Sequence, residues 1–77
     1  MTIDIATKSR DEAYKHRNAL EQAQLRALEH GDIAAFEALI PQLNAAVAAH
    51  CQAIDALEHL RRMAQRTRDR RFAGRRA

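Results

Sequence analysis

Cys51, Asp55 and His59 recur every fourth residue, and thiolate, carboxylate and imidazole at that spacing become neighbours if the segment is helical. Such side chains bind zinc and related ions. Here a fourth ligand is missing, and three groups at i, i+4 and i+8 drift around a helix of 3.6 residues per turn, so the trio reads as an exposed Asp–His pair beside a free thiol. His50 next to Cys51 gives no nucleophile–base dyad, because adjacent residues on a helix point about 100° apart. The sequence therefore assigns no catalytic, cofactor-binding or metal-ligating residue, and the chain is read as non-enzymatic.

The stronger chemical signal is cationic. Arg61, Arg62, Arg66, Arg68, Arg70, Arg71, Arg75 and Arg76 fall within residues 61–77 against a single acid, Asp69, a net charge of +7. Residues 1–60 hold five basic residues and nine acids, a net of −4. An acidic body thus carries a basic tail, whose guanidiniums would attract phosphate or an acidic protein surface. Phe72 is its only aromatic residue, so the stacking platform of a single-strand binder is missing. The tail is assigned as the candidate nucleic-acid or acidic-partner contact, with a solvated helix end as the plainer account.

What must position these groups is helix. Seventeen alanines, eleven arginines and seven leucines, with two glycines and one proline, predict an all-α fold. Ser9-Arg10-Asp11-Glu12 reads as a capping box that starts the first helix at Arg10. His30-Gly31-Asp32 ends it and caps the next, so the chain folds as an antiparallel hairpin. In the second helix, positions 36, 40, 43, 47, 50, 54, 57, 61 and 64 alternate four and three apart in a heptad seam, widened by Leu39, Ala46, Ala53 and Leu60. The phase runs through Pro41, which predicts one kinked helix, with a helix end near Ile40 as the alternative. Residues 1–9, 10–64 and 65–77 are accordingly an N-terminal segment, the hairpin and the basic tail.

Folding about Gly31 and Asp32 sets residue i opposite roughly 63 − i, since both helices rise about 1.5 Å per residue. With the first helix starting at Arg10, Ile54, Leu57, Leu60 and Met63 extend beyond its cover and form the expected partner-binding stripe. Leu43, opposite Leu20, is expected inside the hairpin. A hairpin this small completes its core through a partner, as a homodimer or a hetero-complex with a helical protein, giving four helices together. No segment reaches the roughly 18 consecutive apolar residues of a membrane span, and a lone cysteine suits a reducing compartment, so a cytoplasmic location without membrane contact is expected.

The stretch ALEHGDIAAFEALIPQLNAAV, within residues 26–48, resembles the flagellar and type III export chaperones of the FlgN and FliT kind, through Gly31, Asp32, Phe36, Leu39 and Leu43. The resemblance implies a non-catalytic cytoplasmic protein that shields an amphipathic helix of its substrate in an apolar groove. AIDALEHLRRMAQR is similar to a segment of the helical chorismate mutases, but such a site needs inward-pointing cations on the first helix, where only Arg17 lies near the seam. Two functions follow: a helical interaction module, either a secretion-type chaperone or an assembly accessory protein, and, as the alternative, a small dimeric nucleic-acid-binding regulator that uses the arginine tail.

Overall fold

The computed structural model describes residues 2–75, with side-chain surroundings as far as Arg71. Two helices, α1 (Ile3–Glu29) and α2 (Ile33–Arg75), pack antiparallel as a hairpin, with no strand among the described residues. The molecule is a rod of 69 × 17 × 15 Å. Its length is set by α2, whose 43 residues span about 65 Å at 1.5 Å each.

The turn is built as its sequence dictates. The Gly31 amide donates to the Leu28 carbonyl at 3.0 Å and the Asp32 amide to the Ala27 carbonyl at 2.8 Å, the paired bonds of a Schellman motif. That motif needs a left-handed residue, and Gly31 supplies it at φ +69°. Asp32 then caps α2, its Oδ1 accepting from the Ala35 amide at 3.0 Å.

The start of α1 differs from the expectation at Ser9 and Arg10. Thr2 is the cap: its Oγ1 accepts from the Ile5 amide at 3.2 Å, and its carbonyl from the Ala6 amide at 3.0 Å. Asp4 adds a negative charge to the first turn, where the helix dipole favours it. Ser9 lies well inside the helix. The far end of α2 also extends further than expected, since the helix passes residue 64 without a break and continues to Arg75.

Seven extra residues on α1 change what is covered. Among the described residues the buried side chains are Ala6, Ala27, Ala46 and Leu57. The 63 − i register sets Ala6 level with Leu57, Arg17 with Ala46, and Ala27 with Phe36, so every buried residue falls in a predicted layer. Leu57 is 1% exposed, which overturns the expectation that its burial awaits a partner. Leu43 and Leu20 are half-buried at their shared layer.

The inward seam of α2 is Phe36, Leu39, Leu43, Ala46, His50, Ala53, Leu57, Leu60 and Ala64, all buried or half-buried. Leu39, Ala46, Ala53 and Leu60, which the sequence placed at the edge of the stripe, are thus at its centre. On α1 the facing seam is Ala6, Arg10, Ala13, Arg17, Leu20, Gln24 and Ala27. Its long polar side chains alternate with small or apolar ones, and Arg10 and Arg17 sit level with Ala53 and Ala46. A small residue opposite leaves room for an arginine stem to lie along the interface while its head reaches water. Pro41 is exposed, on the side of α2 away from α1, so the carbonyl it deprives of a partner faces solvent and the helix runs through.

Candidate interaction surfaces

Two surfaces remain once the hairpin has closed. The first is a flank. Ile33, Ile40, Val47 and Ile54 recur every seventh residue, and therefore share one side of α2, next to the inward seam. On α1 the equivalent positions are Thr7, Tyr14, Glu21 and Leu28. Reversing one helix against the other brings these two rows to the same side of the hairpin. The Tyr14 ring accordingly lies 5.5 Å from the His50 ring, centroid to centroid, at a 55° tilt.

That flank is apolar and open. Ile33 is 65% exposed, Tyr14 56% and Leu28 55%; Ile40 is also exposed, and Val47 and Ile54 are half-buried. The opposite flank carries Ser9, His16, Ala23, Gln42, Ala49 and Ala56, small or polar throughout until Met63. Composition alone hides this asymmetry, because the two rows differ by their seven-residue phase and not by their location in the chain.

A polar knot lies at the edge of the apolar flank. Arg17 donates from Nε to Glu21 Oε1 at 3.0 Å and from a terminal nitrogen to His50 Nδ1 at 3.3 Å. A guanidinium has no lone pair to offer, so Nδ1 is the acceptor and the imidazole proton sits on Nε2. His50, on the seam of α2, thus finds its partner on α1 in Arg17. Arg10 is turned instead to Asp11, at 3.2 Å. Cys51, Asp55 and His59 are exposed, and no three metal-ligating side chains converge among the described residues.

No family model, curated protein or solved structure matches the chain.

The second surface is the overhang. Ile3 is level with Leu60, so residues 61–75 of α2 continue past the end of α1 as a single helix, about 22 Å long. Arg61, Arg62, Arg66, Arg68, Arg70 and Arg71 are exposed there, and none is paired with a carboxylate among the described residues. The one acid of the segment, Asp69, accepts from Gln65 at 3.2 Å. Arg75 ends the helix; its side chain, and Arg76, lie outside the described residues.

Of the stripe expected to bind a partner, Leu57 is enclosed by the hairpin, Ile54 and Leu60 are half-buried, and Met63 is exposed. Met63 lines a shallow depression of about 180 Å³ with Arg66, Thr67 and Arg70, too open and too cationic for an apolar anchor. Ile54 belongs to the apolar flank, so the stripe divides between core, flank and overhang. No described helix is long and apolar enough to cross a membrane.

Proposed function

We propose that this chain is a non-catalytic helical protein–protein interaction module, whose apolar flank is completed by helices of a partner into a four-helix arrangement. The observation that carries the reading is the row Ile33, Ile40, Val47 and Ile54 beside Tyr14 and Leu28, open on one side of a hairpin that, among the described residues, buries only three alanines and one leucine. A core that small falls short of the ordering entropy of two helices. Covering the flank adds about 1.5–3 kcal/mol for each large side chain fully buried.

A second copy is the first occupant to consider, since each chain brings the same unfilled flank and a two-fold axis satisfies both at once. A hetero-complex is the other form, in which an amphipathic partner helix lies on the flank in a secretion-type chaperone or assembly accessory role. The resemblance to export chaperones supports that finer reading through residues that build the turn and inner seam, whereas the flank supplies the surface. A cytoplasmic location belongs to the same reading.

Sedimentation of the wild-type chain and of Ile40→Lys over a hundredfold range of concentration tests it. A wild-type dimer with a concentration-dependent melting temperature is expected, and Ile40→Lys should shift the chain toward monomer. A wild-type chain that is monomeric and equally stable at every concentration would remove the homodimer and leave the hetero-complex as the form to test.

A further inference from the structure

The overhang carries no part of the fold and a large part of the charge. A single cationic helix can lie on an acidic protein, on an anionic membrane or in a nucleic-acid groove, and the three place charge differently around the helix. On a protein or a membrane one face is in contact, so cations gather on that face; a membrane helix also needs an apolar face to insert. In a groove, phosphates rise on both walls.

At 100° per residue, Arg62, Arg66 and Arg70 fall within about 80° of one another on one side of α2. Arg61, Arg68 and Arg71 fall within about 80° of one another on the other side, and the mean directions of the two sets differ by about 180°. All six side chains are exposed. Met63 is the only large apolar residue from 61 to 71, so this stretch has no apolar face to insert in a membrane. We propose that residues 61–75 of α2 form a duplex-DNA-binding helix that lies in the major groove, with Arg62, Arg66 and Arg70 meeting the phosphates of one wall and Arg61, Arg68 and Arg71 those of the other.

The dimensions agree. An α-helix with its side chains is about 10–12 Å across and the major groove of B-form DNA about 12 Å wide. The A-form groove of duplex RNA is too deep and narrow for this helix. Free of α1 on every side, the overhang can enter the groove without the acidic hairpin following it, and residues 1–60, with a net charge of −4, stay clear of the phosphates. Phosphate contacts of this kind fix position and supply affinity without reading sequence. The inference is independent of the apolar flank and of what covers it.

The test titrates the full chain against a fluorescent DNA duplex of mixed sequence several turns long. Duplex RNA, phosphatidylserine vesicles and polyglutamate serve as competing probes. Two variants are compared with wild type: Arg62→Gln/Arg66→Gln/Arg70→Gln and Arg61→Gln/Arg68→Gln/Arg71→Gln. Circular dichroism and melting establish that each keeps the hairpin. Six phosphate contacts give a slope of log affinity against log salt near −5, so wild-type binding should weaken about a thousandfold between about 50 and 200 mM salt. Each triple variant should reduce that slope by about half. Dependence on one triple alone would show a one-sided contact and overturn the groove placement. Absence of duplex binding at the lower salt, or equal or tighter binding to RNA, vesicles or polyglutamate, would overturn the proposal outright.

Discussion

Helix α2 is one continuous element with two different lives. From Ile33 to Leu60 it lies against α1, presents buried and half-buried residues at heptad spacing, and encloses Leu57. From Arg61 onward it stands alone, with Thr67 and Arg71 exposed where the seam would continue, and the side-chain bonds among the described residues stay within the helix, as Gln65 to Asp69 and the Thr67 hydroxyl to the Met63 carbonyl at 3.1 Å. The same backbone conformation is supported by tertiary packing in the first stretch and by local propensity in the second. Short isolated helices are marginal in water, so the two stretches should differ widely in stability although they look alike in secondary structure.

Side-chain truncation exposes the difference most strongly. Leu57→Ala removes a large side chain that the hairpin fully encloses, and should lower stability by about 2–5 kcal/mol. Met63→Ala, six residues further on and beyond the cover of α1, should change stability by less than about 0.5 kcal/mol. Chemical denaturation of both variants at one protein concentration reads the contrast. Equal losses would mean that something also covers Met63, and the boundary near Leu60 would have to move.

A smaller effect locates where the paired stretch begins. Thr2→Ala should cost about 1 kcal/mol, because an α1 amide then loses its side-chain acceptor. Ser9→Ala should be close to neutral or slightly stabilising, since alanine is the better residue inside a helix. Melting temperatures of the pair decide between a helix that starts at Ile3 and one that starts at Arg10. The reverse order of effects would restore the shorter helix and uncover Leu57.

Both of these positions show where the sequence was legible. The hairpin, its turn and the 63 − i register follow from a local signal at Gly31 and Asp32, and the continuity through Pro41 follows from the heptad phase that spans residues 36–64. Two caps compete for the start of α1 in the sequence: Ser9 with Glu12 satisfies the capping pattern, whereas Thr2 has only Asp4 to support it. The recurrence of Ala6, Ala13, Leu20 and Ala27 every seventh residue was the signal that the helix reaches back past Ser9. Small residues give little hydrophobic contrast, so a search for large apolar side chains passes over them.

The misplaced start then propagated. A shorter α1 makes Ile54, Leu57, Leu60 and Met63 look like one uncovered stripe, when α1 covers Leu57 and partly covers its neighbours Ile54 and Leu60. The apolar flank went unrecognised for a related reason. The heptad pattern sets Ile40, Val47 and Ile54 on the seam itself, and a shift of one helical position separates residues that face α1 from residues that face outward. The arginine cluster needed no structure to be found. Its division into two opposed sets becomes meaningful once α2 is seen to stay helical beyond the end of α1.

Amide hydrogen exchange along α2 in the wild-type chain, without added ligand, tests most directly the claim that one helix is divided into a supported and an unsupported stretch. Protection should be greatest between Leu43 and Leu57, where the seam is enclosed, and should fall steeply after Ala64, leaving residues 66–75 to exchange by local opening far faster than the hairpin unfolds. Protection that continued undiminished through Arg71 in the free protein would contradict the account, because it would require packing around the overhang that the hairpin does not provide.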